Sequence, residues 1–67
     1  MYKYRVLYNG YGANNSIYKE QEISLDLRHD WSRNKDEAAN VMFLVHEKLK
    51  EHFSRYDILL IEKLHWQ

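Results

Sequence analysis

A chain of 67 residues with no cysteine, and with ten basic side chains against ten acidic ones, already excludes several classes of protein. It has room for one small domain, burying only about 60% of its unfolded surface, and no disulfide framework or thiolate-held zinc reinforces it. A formal net charge of zero shows neither the basic excess of a phosphate binder nor the acidic excess of a DNA mimic, so nucleic acid is disfavoured as a partner.

The longest uninterrupted apolar runs are Val41–Val45 and Ile58–Ile61. Both are too short for a membrane span or a signal-peptide core, so a cytoplasmic protein with no membrane role is expected. Asn14-Asn15-Ser16 matches a glycosylation sequon, an accidental match under that expectation.

Tyr2 to Tyr8 alternates in a strand pattern: Tyr2, Tyr4, Val6 and Tyr8 share one face, and Lys3, Arg5 and Leu7 the other. Tyrosines interleaved with cations suit single-strand nucleic-acid binding only when both lie on one face, and here they alternate. Loop residues Tyr11 and Tyr18 with Lys19 are left as the thin basis for a nucleic-acid-binding accessory protein. Asn9 to Ser16 reads as the hairpin connection. Asn9-Gly10 alone would favour a two-residue turn, but that turn puts Gly12, Ala13, Asn14 and Asn15 into the next strand, so a longer or irregular loop is expected. Gly10-Tyr11-Gly12 lacks the third glycine, the Gly-Lys-Ser/Thr and the following helix of a phosphate-binding loop.

Ile17 to Leu27 alternates again, with Ile23, Leu25 and Leu27 on one face and Glu20, Glu22, Ser24 and Asp26 on the other. Beside the first strand, that acidic face complements Lys3 and Arg5. Trp31, in the link that follows, is expected to fold onto the first helical turn; the alternative is an exposed binding residue.

Asn34 to about Phe53 is the helix. Ala38, Val41, Met42, Val45, Leu49 and Phe53 make its apolar stripe, and Asn34 with Glu37 has the spacing of a capping box. Phe43 breaks the pattern, falling on the polar side with Glu47 and Lys50. It is either a scattered exposed apolar residue or the anchor for a partner.

Tyr56 to Leu64 is the third strand, apolar on both faces at Ile58-Leu59-Leu60-Ile61. One helix covers one face of a sheet. The assignment that follows sets Ile58, Leu60 and Leu64 against the helix and leaves Leu7, Leu59 and Ile61 as an outward, self-associating patch. His65, Trp66 and Gln67 form a short tail.

Chemistry is harder to place. His46-Glu47-Lys48-Leu49-Lys50 resembles a zinc-protease helix until its last position, where a second histidine is needed and a cation stands. His29, His52 and His65 are scattered, and no serine sits in a Gly-x-Ser-x-Gly elbow. The sequence therefore supports no catalytic, metal or cofactor site.

The fold expected is α+β: β-β-α-β, a three-stranded sheet in order 2-1-3 with one helix across one face, order 1-2-3 being the alternative. The function expected is a non-enzymatic protein-protein binding module. It would be a small regulator or inhibitor of the kind phages and mobile elements encode, and a homodimer. A nucleic-acid-binding accessory protein and a structural subunit of an assembly are the alternatives.

Overall fold

The computed structural model describes residues 1–64, so the tail of His65, Trp66 and Gln67 lies outside the described residues. Strand β1 is Tyr2–Tyr11, β2 Ile17–Leu27 and β3 Arg55–Lys63, with helix α1 at Lys35–Lys50 between the last two. The sheet order is β2-β1-β3, with β1 antiparallel to both neighbours. This is the α+β arrangement expected from the chain.

Alternation along β1 decides which face the helix covers. Tyr4, Val6 and Tyr8 are buried against Val41, Val45 and Leu49 of α1, with Leu25 of β2 beside them. Fully burying side chains of this kind contributes roughly 1.5–3 kcal/mol each. Ala38 is half-buried in the same stripe, but Met42 is 37% exposed. At about 100° per residue it turns to the border of the stripe, which corrects its assignment to the core.

The helix is also shorter than its pattern. It ends at Lys50, with Lys48 and Lys50 in the last turn facing the negative end of its dipole. Phe53 nevertheless reaches the core, because its backbone N–H turns back to the Leu49 carbonyl at 2.9 Å. At the other end Asn34 caps as expected, its Oδ1 accepting from the Glu37 N–H at 2.8 Å. The Glu37 carboxylate pairs with His29 Nδ1 at 2.6 Å, not with the backbone of Asn34.

The hairpin connection is shorter than Asn9 to Ser16. β1 runs on to Tyr11, and one 3-10 turn at Ala13–Asn15 closes the loop, Gly12 N–H donating to the Ser16 carbonyl at 2.9 Å. Asn14 and Asn15 hold φ of 58° and 62°, a left-handed conformation that asparagine tolerates better than most residues. Asn9-Gly10 is thus strand, not turn.

Each outer strand carries one bulge. Between the pairs Tyr8–Gln21 and Gly10–Tyr18, Lys19 and Glu20 together oppose Asn9. Glu20 takes φ 53° there, and the Asn9 side chain accepts its N–H at 2.8 Å. On the other side Leu7 faces Leu60 and Tyr8 faces Ile58, which leaves Leu59 with no partner on β1.

That second bulge reverses the phase of β3. Past it, Ile61 stands opposite Val6 and packs against the core, while Leu60 stands opposite Leu7 and is 43% exposed. The outward assignment of Ile61, and the inward one of Leu60, are therefore corrected: strict alternation fails across an inserted residue. Ile58 packs on the core as expected.

The link between β2 and α1 is tied to the sheet by polar contacts. The Tyr4 hydroxyl donates to the His29 carbonyl at 2.6 Å and accepts from the Trp31 N–H at 3.1 Å, and the Tyr4 and Trp31 rings meet edge to face at 5.3 Å. Trp31 thus folds onto the core, as expected. Lys63 Nζ reaches back from β3 to Asp30 Oδ1 at 2.9 Å.

Candidate functional site

Two surfaces carry exposed apolar side chains on opposite sides of the molecule. The first is the outer face of α1. Phe43 lies opposite the buried Val41-Val45-Leu49 stripe and is 63% exposed, as its spacing requires. Glu47 and Lys50, one and two turns further along the same face, form a loose pair at 3.9 Å. Met42 extends this surface to one side.

The second is the face of the sheet that α1 leaves bare. Leu7 on β1 and Leu60 on β3 are cross-strand partners there, and the bulge residue Leu59 is 51% exposed. Leu7, Leu59 and Leu60 make up the outward patch. Ile61 does not belong to it.

Arg5 lies two residues from Leu7 along the same face. Its Nη2 meets Glu62 on β3 at 2.6 Å, and its Nη1 lies a looser 3.6 Å from Glu22 on β2. The acidic complement to the first strand is thus supplied from both sides, where the sequence pointed to β2 alone. Arg5 Nε has no hydrogen-bond partner among the described residues although it is shielded from solvent.

A shallow depression of about 370 Å³ opens at the hairpin end, lined by Tyr11, Ser16, Ile17, Ser54 and Arg55 among others. Two of its side chains are engaged with neighbours. The Arg55 guanidinium lies over the Tyr11 ring at 4.6 Å, and the Tyr11 hydroxyl donates to Asp57 Oδ2 at 2.8 Å. That bond, with the nearby carboxylate charge, raises the Tyr11 pKa above its usual value.

These contacts bear on the tyrosines that could stack bases. Tyr4 and Tyr8 are buried, Tyr11 is covered on one side by Arg55, and Tyr18 leans on Phe53 with ring centroids 5.8 Å apart.

The histidines sit apart from one another. His29 is bound to Glu37, whose pKa it lowers chiefly by hydrogen bonding. His46 Nδ1 shares a 2.6 Å hydrogen bond with the Tyr56 hydroxyl, and His52 is exposed beside the Phe53 ring. Among the described residues no three His, Cys, Asp or Glu side chains are grouped so as to hold a metal ion. Nor, among them, is any helix long and apolar enough to cross a membrane.

Sequence reasoning missed the two histidine pairs. His29 and Glu37 are eight residues apart across a loop, and His46 and Tyr56 lie on different elements, so no periodicity links either pair. Glu37 carried a signal, but for the backbone of Asn34 instead.

No family model, curated protein or solved structure matches the chain.

Proposed function

We propose that the chain is a non-enzymatic binding module, a small regulator or inhibitor that acts by occupying the surface of another protein. The observation that supports this most directly is Phe43. The residue is nearly two-thirds exposed on the outer helix face, with Met42 to one side and the paired charges of Glu47 and Lys50 beside it. An aromatic side chain at the centre with a charged rim has the anatomy of a protein-protein hot spot. The same reading takes the protein as cytoplasmic, free of cofactor, and a homodimer whose second copy covers the outer sheet face.

Paired capture from lysate tests it, with the natural chain and Phe43→Ala as baits and each lysate split with and without nuclease. The expected partner is retained by the natural chain, survives nuclease, and loses at least about 1 kcal/mol of affinity to the substitution. Stability of the substituted chain should stay within about 0.5 kcal/mol, as at other surface sites. A partner indifferent to Phe43→Ala, or released by nuclease, overturns the reading; release by nuclease favours the nucleic-acid alternative.

A further inference from the structure

We infer that the outer face of the sheet binds the same face of a second copy with the two sheets crossed at about a right angle, so that Arg5 of each copy meets Glu22 of the other. This rests on the proposal that the chain self-associates, and it adds the face, the orientation and the contact that fixes it.

The free edges of the sheet are poor routes. Both outer strands are bulged, β2 at Lys19-Glu20 and β3 at Leu59, and β3 carries Lys63 opposite the core residue Tyr4. Bulges and inward-facing charges are devices that prevent edge-to-edge pairing. What remains uncovered is the outer face, where Leu7, Leu59 and Leu60 sit among the charges of Arg5, Glu22 and Glu62.

Its charges select an orientation. Leu7 lies on the middle strand of the face, through which the axes below are drawn, with Glu22 directly beside it on β2 and Leu60 directly beside it on β3. Neighbouring strands are about 4.8 Å apart, and Arg5, two residues along β1, is about 6.8 Å from Leu7. Two identical faces meet about a two-fold axis that lies in the plane of contact.

An axis along the strands sets Arg5 on Arg5, and an axis across them sets Glu22 on Glu22. Both arrangements bring like charges together. The two diagonal axes cross the sheets at right angles, one of the packings that sheets adopt. One diagonal lays Arg5 on the partner's Leu60 and strands a charge on an apolar side chain. The other lays Arg5 on the partner's Glu22 and repeats that contact on the far side of the axis, with Leu7 against Leu7 beside them and the two Leu60 side chains beyond Leu7, away from both contacts.

The monomer leaves this contact available. Arg5 is held closely by Glu62 at 2.6 Å but only loosely by Glu22 at 3.6 Å, and half of the Glu22 side chain is exposed. Crossed three-stranded faces overlap over a square about 14 Å on a side. That is far below a standard interface, so the dimer is a weak one.

Sedimentation velocity up to about 1 mM tests the inference on the natural chain, Leu60→Lys, Arg5→Glu and Glu22→Arg, with circular dichroism as the check on folding. The natural chain should dimerise. Arg5→Glu and Glu22→Arg should each weaken the dimer about tenfold or more, as loss of a close interfacial charge pair does, and Leu60→Lys should weaken it by setting a charge on the apolar patch. An equimolar mixture of Arg5→Glu and Glu22→Arg should dimerise again, because both cross-copy contacts then join opposite charges. Should inversion unfold the chain, Arg5→Ala and Glu22→Ala carry the test, each expected to weaken the dimer by the same order. A natural chain that stays monomeric overturns self-association and this inference together. A dimer that Arg5 and Glu22 variants leave unchanged, or that their mixture fails to restore, overturns the crossed geometry alone.

Discussion

The ring of Phe53 rests on Gly10 where any other residue would carry a side chain. A β-carbon built at Gly10 would lie 2.5, 2.6 and 2.7 Å from three ring carbons of Phe53. Phe53 is also braced by Tyr8 at 5.5 Å and Tyr18 at 5.8 Å between ring centroids, so it has little room to withdraw. Gly10→Ala should destabilise the protein by about 1–3 kcal/mol through overpacking. Urea denaturation measures this, and a substituted chain as stable as the natural one would show the ring to be mobile.

Tyr4→Phe isolates the hydroxyl that ties the β2–α1 link to the sheet. Its loss leaves the His29 carbonyl and the Trp31 N–H without their partner in a part-buried site. The expected cost is about 1–3 kcal/mol, the penalty for an unsatisfied buried polar group. A change below about 0.5 kcal/mol would mean that water replaces the hydroxyl.

A lysine scan of β3 reads the bulge at Leu59 directly. Ile61→Lys places a charge against Val6 in the core and should unfold the chain or cost more than about 3 kcal/mol. Leu60→Lys, on the outer face, should change monomer stability by no more than about 0.5 kcal/mol. The opposite ranking would place the register shift elsewhere.

Acid and base should each loosen the Asp30–Lys63 clasp. Lys63, then the Ser32 hydroxyl and N–H, lower the Asp30 pKa from 3.8 to about 2. A carboxyl lowered on folding contributes stability above its unfolded value, and that contribution is lost as pH falls from about 4 towards 2. Lys63 is raised above 10.5 chiefly by its hydrogen bond to Asp30, so its contribution is complete below that pH and is lost as pH rises through the folded value. Denaturation midpoints across pH should therefore fall at both ends for the natural chain and less steeply for Asp30→Asn. Parallel curves would show the clasp to be energetically silent.

Most of the fold was legible because it follows from period. The alternation of Tyr2 to Tyr8 named the covered face of β1, and the Val41-Val45-Leu49 spacing named the buried side of α1. The break at Phe43 likewise located an exposed aromatic side chain. What periodicity does not carry is an inserted residue. Nothing in Ile58-Leu59-Leu60-Ile61 marks Leu59 as unpaired, since all four side chains are apolar and either phase buries two of them. The error at Ile61 follows from that alone. Asn9-Gly10 misled for a different reason: the glycine answers a tertiary contact with Phe53 and not a turn.

The pairing of the first strand with the last has a mechanical consequence. Tyr4 stands opposite Lys63 and Tyr11 opposite Arg55, so the start of β1 and the end of β3 leave the sheet on the same side. Tension applied at those two points peels the strands apart, loading the cross-strand hydrogen bonds a pair at a time instead of shearing the whole ladder at once. The first contacts under load are the Leu64 N–H to the Lys3 carbonyl and the Lys63–Asp30 clasp. Pulled apart between those two points, this small sheet would open like a zip, with little resistance for its size.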